Sequence, residues 1–329
     1  MSPLARKPTT SVAIATYNGA RFLAEQLASI ARQSCAVDEV VISDDCSGDD
    51  SVRIAAEEAA RLGLAARVLN NTVRLGVASN FERAIHACKG EIVFLSDQDD
   101  IWYPNKVERV LGAFAENLHL LAVFSDAVVV DELRRPLHDS LLALSRLTPA
   151  ERASIRAGST FSVLMTRNVA TGATMALRSS DISRAFPIPP GWYHDEWLAL
   201  FLSSIGVVGL IDEPLIEYRQ HQSNTIGAPR VTSLTEKFTS LTKRSRDQRL
   251  QAAERARRLA ERFAHAPELP APLRTHAIEK REHLRVRAEL PNSKFRRLPA
   301  IVRELANGHY FRYSHGIRAA ARDLLQELD

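Results

Sequence analysis

Three carboxylates, Asp97, Asp99 and Asp100, fall within four residues, directly after the apolar run Ile92-Val93-Phe94-Leu95. The run reads as a buried strand. Acids at the carboxyl end of such a strand face the crevice where open α/β sheets take their ligands. Packed this closely, they repel one another and resist ionising together. A hard divalent cation, Mg²⁺ or Mn²⁺, resolves that conflict, since it prefers oxygen ligands and takes carboxylates together with phosphate oxygens. On these residues alone an acidic surface turn reads equally well, because Asp also favours turns and helix caps.

The elements that would carry this loop alternate. Ser11–Ala15, Glu39–Ile42, Ala66–Leu69, Glu91–Leu95 and 120–124 have strand character. Helical spacing falls between them: Phe22 to Ile30, a segment from about Ser51, Asn80–Cys88 and 103–116. Strands alternating with helices predict a mostly parallel sheet covered on both faces. Three strand-to-helix junctions then share a chemistry: Thr16-Tyr17-Asn18, Asp44-Asp45 and the loop at 97–100. Acids at two of them call for something positive to hold. No GxGxxG, GxxxxGK[ST] or GxSxG motif is present, which withdraws support from dinucleotide, P-loop and α/β-hydrolase chemistry.

Composition fits a soluble globular chain of 329 residues, 45% hydrophobic and 25% charged, long enough for one large domain or two smaller ones. Its three cysteines, Cys35, Cys46 and Cys88, are scattered and lack metal-ligand spacing, as expected of a reducing compartment. The longest uncharged stretch, 198–211, is too short to span a bilayer. The formal charge of +4 hides an asymmetry: residues 230–329 hold 22 Lys and Arg against 12 Asp and Glu, a surplus of +10 that leaves −6 for the first 229. An acidic front and a basic tail predict two jobs. The expected division is a catalytic domain at 1–229 and a basic helical region at 230–329.

Val12–Asn18, Val40–Asp50, Asn80–Glu82, Gly90–Trp102 and His194–Trp197 together resemble glycosyltransferase family 2, the inverting nucleotide-sugar transferases of the GT-A fold. Leu95–Trp102, His194-Asp195-Glu196-Trp197 and Tyr218–Asn224 are similar to bacterial rhamnosyltransferase-like enzymes of surface polysaccharide assembly. The likeness covers roughly 9–228. It implies a GT-A type α/β fold, Rossmann-like, with a mostly parallel central sheet flanked by helices and a helical C-terminal extension. It also implies metal-dependent, inverting transfer of a sugar, L-rhamnose from dTDP-L-rhamnose or a hexose from a UDP-sugar, to a hydroxyl of a growing glycan such as O-antigen or capsule.

Carried onto this chain, the resemblance gives Thr16, Tyr17, Asn18, Asp44 and Asp45 to the nucleoside. Asp97, Asp99 and Asp100 match the acidic DxD-type motif, with Asp99 first for the metal. Asp195 is the general base and Glu196 its alternative; His194, Glu196 and Trp197 face the acceptor. Arg219 and His221 meet the diphosphate, His221 also the metal. From the residues themselves, Asp44 and Asp45 read as turn and helix caps too, and the acids of 195–196 as partners of a helix dipole. Trp102 is expected to pack beneath its loop.

The segment 131–170 loses the strand–helix rhythm, and Thr171–Leu177 returns to strand character. Val207–Ile211 and Leu215–Tyr218 read as two further strands. In the tail, Leu234, Phe238 and Leu241, then Ala252 to Phe263 and Ile278 to Leu290, suggest helical faces, with Pro267, Pro270 and Pro272 as breaks. Lys294-Phe295-Arg296-Arg297 and 309–313 are basic–aromatic clusters, open to a peripheral membrane role or to plain packing. The tail has no nucleic-acid motif. The expected address is the cytoplasm, with the inner face of its membrane as the alternative. A sugar nucleotidyltransferase or a non-catalytic glycan-binding scaffold are the rival functions. The first usually has a glycine-rich basic first loop, which Thr16–Arg21 lacks.

Overall fold

Apolar runs flanked by amphipathic helices build a mixed sheet in the computed structural model, which describes residues 6–221, 246–267 and 269–326. The strands are β1 Thr10–Thr16, β2 Glu39–Asp44, β3 Ala66–Asn70, β4 Ile92–Asp97, β5 Ile101–Trp102, β6 Leu120–Val130, β7 Pro136–His138, β8 Met175–Arg178 and β9 Val207–Arg219. Their order is β3-β2-β1-β4-β8-β6-β9-β5, with β7 on β6. The pairings β3-β2, β2-β1, β1-β4 and β6-β9 are parallel, and β8 runs antiparallel between β4 and β6. Among the helices, α1 spans Leu23–Ala31, α2 Ser51–Arg61, α3 Val77–Ala87, α4 Lys106–Glu116, α5 Leu141–Leu144, α6 Pro149–Arg156, α7 Thr160–Thr166, α8 Ser179–Ile182 and α9 His194–Ile205.

Both faces of the central strands are covered. Val12, Ile14, Val40, Ile42 and Phe94 are fully buried with Leu23, Leu27 and Val107 from the helices. Each such side chain contributes about 2 kcal/mol through lost contact with water. Register does the positioning. Thr16 sits opposite Asp44 and Ala15 opposite Asp97, so the carboxyl ends of β2, β1 and β4 finish level. The two-residue strand β5 then pairs Ile101 with Glu217, which draws the end of β9 up to the acidic loop.

The structure differs from expectation where pairing is non-local. The two expected strands at 207–218 are one, because the β6–β9 ladder absorbs Asp212 to Pro214 in a register shift at Asp126. Residues 131–170 hold β7 and the short helices α5, α6 and α7. Gly172–Thr174 forms a 3₁₀ turn before β8, and α4 begins at Lys106 rather than 103.

The described residues group into two compact units. The first carries the whole sheet. The second consists of Phe161–Asn168, Pro189–Trp192 and the described part of Arg230–Asp329. Its further helices are α10 Arg246–Ala264, α11 Ala271–Ala288, α12 Lys294–Ala306, α13 His309–Tyr313 and α14 Ile317–Leu325. Pro272 lies in the first turn of α11, where its missing N–H costs nothing, so it opens that helix rather than breaking one. Arg287 pairs with Asp323, Tyr310 donates to the same carboxylate, and the imidazoles of His283 and His309 share Glu304. Leu234, Phe238, Leu241 and residues 222–224 lie outside the described residues. No helix among the described residues is long and apolar enough to cross a membrane.

Candidate active site

The acidic loop leaves β4 at Asp97 and re-enters the sheet at β5. Ligand oxygens of Asp97, Asp99 and Asp100 lie within 4.8 Å of one another. Burial, then the charges of Asp99 and Asp195, pushes the Asp97 carboxyl up to about 8. Burial and the same acidic neighbourhood raise Asp100 well above the carboxylate range. The Asp100 Oδ1 accepts the Arg219 N–H at 2.9 Å, while its buried Oδ2 has no hydrogen-bond partner. Lys106, buried from the first turn of α4, donates to the Ala173 carbonyl at 2.8 Å and stands over the Trp102 ring. Burial drops its amine to about 7 against the opposing pull of Asp100 and Asp97. His221 Nε2 sits 2.7 Å from Asp99 Oδ2, its ring stacked on Phe22.

Gln98, between the acids, serves a different loop. Its Oε1 accepts from Thr16 Oγ1 at 2.6 Å and from the Tyr17 N–H at 2.9 Å, and its Nε2 donates to the Tyr17 carbonyl. A Cβ at Gly19 would come within 2.2 Å of Gln98 Oε1, so any larger residue there would displace the Gln98 amide from these bonds. The Tyr17 ring lies 3.9 Å from the Arg74 guanidinium. Asn18 takes φ 50° and ties its loop to β2 through Ser47 Oγ and the Gly48 N–H.

Asp44 and Asp45 are buried and already served. Asp44 accepts from the Ser47 N–H and hydroxyl. Asp45 accepts from Asn71 Nδ2 at 3.1 Å and from the N–H groups of Leu75 and Gly76 at 2.6 and 2.9 Å.

The first turn of α9 supplies the remaining acids. Asp195 Oδ2 accepts the Gly172 N–H at 3.1 Å and Oδ1 the Glu196 N–H at 2.7 Å. Its charge bears on Asp97, so the carboxylates of α9 and of the acidic loop share one field. Glu196 is half-buried beside it.

Three expectations need correction. Trp197 is fully buried and spends its indole N–H on the Ala185 carbonyl, which leaves no face for an acceptor. His194 is buried against Phe81, with ring centroids 3.8 Å apart, and is held neutral by a pKa pushed down to about 3. A Cβ at Gly172 would meet its Nε2 at 2.5 Å, so it packs where an acceptor cannot reach. Arg219 has a side chain only 2% exposed, and its guanidinium is spent on Glu25 at 2.6 Å and the Glu132 carbonyl. Its backbone N–H braces Asp100, and its side chain does not present a free cation.

Sequence reasoning missed Lys106, Gln98 and Arg74. Lys106 falls within the segment 103–116 read as a helix, where a lysine is ordinarily solvent-facing. Gln98 looks like filler among acids.

Residues 11–171 match the model of Glycosyl transferase family 2. A Bacillus subtilis relative, EpsE, is 29% identical over 38% of this chain and 45% of its own length. A glycosyltransferase of Nostoc, alr2836, is 25% identical over 65% of each chain. The dTDP-rhamnosyl transferase RfbG of Shigella flexneri is 26% identical over 65% of this chain and 74% of that one. The chain thus spans about half to two thirds of the length of the first two relatives. Two solved structures share the fold. TarS 1-349 of S. aureus, in complex with UDP-GlcNAc, has TM-score 0.54 and 18% identity, covering 96% of this chain and 89% of that one. The mannosyltransferase PcManGT of Pyrobaculum calidifontis, with GDP-Man and Mn²⁺, has TM-score 0.52 and 21% identity, covering 93% and 76%.

Proposed function

We propose that this chain, whose residues 11–171 match the model of Glycosyl transferase family 2 and which has the GT-A fold, moves a sugar from a nucleoside diphosphate to an acceptor hydroxyl with inversion. The observation that carries the reading is the starved acidic loop: three carboxylates with ligand oxygens within 4.8 Å, one of them holding a buried, unpartnered oxygen. All-oxygen donors with one imidazole alongside suit Mg²⁺ or Mn²⁺. Asp99, with Asp97, Asp100 and His221, would hold the ion, which supplies positive charge against the departing diphosphate.

The chain's own residues do the rest. Tyr17 and the Arg74 above it offer a flat, cationic platform for a nucleobase. Asn18 and the Asp44–Asp45 turn shape the nucleoside side of the crevice. The Gly172 and Glu196 N–H groups hold the Asp195 carboxylate in one orientation. Asp195 takes the proton of the acceptor hydroxyl as that oxygen attacks the anomeric carbon, with Glu196 as the neighbouring alternative. One displacement needs no covalent enzyme intermediate. Arg219 keeps Asp100 in place. The first unit, which lacks Phe161–Asn168 and Pro189–Trp192 of the expected 1–229, is the catalytic part in this reading.

The likeness to RfbG supports dTDP-L-rhamnose as donor and a surface glycan as acceptor; a UDP-hexose is the second choice. Calorimetry with dTDP, UDP and GDP, each with and without Mn²⁺, tests both. Mn²⁺-dependent binding of dTDP above the others is expected. Asp195→Asn should keep that binding and lose turnover by about a thousandfold. Binding of none of the three nucleotides by wild type would overturn the reading.

A further inference from the structure

In the second unit, charge is handled in two opposite ways. On α10 and α11 surface arginines are laced to glutamates: exposed Arg257 to Glu254 and Glu261, half-buried Arg258 to Glu254, exposed Arg285 to Glu282 and Glu289. These are solvated helix faces, and pairs at this spacing stabilise them modestly. Residues 291–326 do the reverse. Their only two acids, Glu304 and Asp323, are 5% and 1% exposed. Glu304 accepts from His283 and His309, and Asp323 from Arg287 and Tyr310. Every exposed charge of the segment is therefore positive: Lys294, Arg296, Arg303, Arg312 and Arg318. Arg312 lies 3.6 Å from Glu279 of α11, and Arg303 3.8 Å from the buried Glu304. Lys294, Arg296 and Arg318 have no acidic partner among the described residues.

Apolar exposure collects in the same segment of the chain. Of the fourteen large apolar side chains exposed among the described residues, six lie in this segment of 36. Helix α12 carries Phe295, Leu298 and Val302 at 84%, 40% and 58% exposure, spaced three and four residues apart on one stripe. Its other face buries Arg297, Ile301 and Glu304. Phe311 and Ile317 are 58% and 68% exposed on α13 and α14.

We infer that α12, with the exposed residues of α13 and α14, is a docking surface for an anionic lipid bilayer. The occupant follows from chemistry. A protein partner brings both signs of charge and meets a mixed rim, whereas this rim offers cations alone. Nucleic acid would meet the cations and stack on Phe295 at most, gaining nothing from Leu298, Val302 and Ile317. An acidic headgroup layer above an acyl region matches both halves of the surface: cations stay at the phosphates and the apolar stripe enters the boundary. The same segment hides its acids, which removes the only charges that layer would repel. The inference rests on this segment alone and is independent of the transferase reading.

Vesicle flotation tests it with the full chain. Wild type should float with vesicles of phosphatidylcholine and phosphatidylglycerol and remain behind with phosphatidylcholine alone. Raising salt from 0.1 to 0.5 M should release most of it. Phe295→Ser with Val302→Ser, both at exposed positions, should lower the bound fraction at least about tenfold. Arg296→Glu with Arg318→Glu should do the same, and each double variant should keep wild-type thermal stability and nucleotide binding. Failure of wild type to float on anionic vesicles would overturn the inference, as would flotation unchanged in both variants. A self-association lost in the serine variant, without lipid binding, would give the stripe to a second copy and overturn it too.

Discussion

Two strand ends of the same sheet finish level and both end in acids, yet their carboxylates meet opposite fates. At the end of β2, Asp44 and Asp45 receive five donors between them: the Ser47 N–H and hydroxyl, Asn71, and the N–H groups of Leu75 and Gly76. At the end of β4, Asp97, Asp99 and Asp100 crowd one another, and Asp100 Oδ2 is buried without a donor. Carboxylates saturated by backbone N–H groups build a loop. Carboxylates left short of donors and forced together are built for a ligand that arrives later. The number of acids at a strand end says less than what the chain offers their oxygens.

This contrast can be broken in four ways. Asp99→Ala should cost the largest effect, at least about a hundredfold in metal-dependent nucleotide affinity, with little loss of stability. Titration calorimetry with and without Mn²⁺ would show it, and unchanged affinity would remove Asp99 from the ion. Metal affinity should next depend on pH. A carboxyl raised to about 8 keeps its proton at pH 7 in the metal-free fold. A cation must displace that proton, so Mn²⁺ affinity should climb as pH rises from 6 to 8, by up to about tenfold per unit. A flat profile would mean that Asp97 is ionised before the metal comes. Asp45→Asn should invert the pattern of Asp99→Ala. The amide NH₂ must face either the Gly76 N–H or the Leu75 and Asn71 donors, which should cost roughly 2 kcal/mol of stability in urea denaturation. Mn²⁺ affinity, read in the same variant, should hold. The smallest effect is expected from Asp97→Asn. Removing one of three crowded carboxylates should stabilise the metal-free protein by about 1 kcal/mol near pH 8, and a destabilised variant would show that Lys106 needs Asp97 more than Asp97 suffers from its neighbours.

Much of this contrast could be read from the chain before its fold was known, but only the part written in local pattern. An apolar run followed by acids marked the end of β4, and the ordered motifs from Val12 to Trp197 pointed to the family that residues 11–171 match. Which acids are saturated was not legible, because the donors to Asp45 come from 26 to 31 residues away. Strand direction was equally hidden: hydrophobic period has no polarity, so β8 gave no sign of running antiparallel. Lys106 and Arg219 show the same limit from the other side. Charged residues beside a site look like ligands or solvent-facing groups until burial shows one fixed on a carbonyl and the other on Glu25.

Gln98 fastens the loop at Thr16 and Tyr17 to the acidic loop with three hydrogen bonds. In the proposed reading one loop takes the cation and the other the nucleoside, and this amide then links the two sites thermodynamically. Whatever factor a bound cation adds to nucleoside affinity, the nucleoside returns to the cation. The amide is the protein's share of that linkage. Cutting it with Gln98→Ala should leave both ligands able to bind, while the factor by which each raises the other's affinity shrinks toward what the metal–diphosphate contact alone supplies.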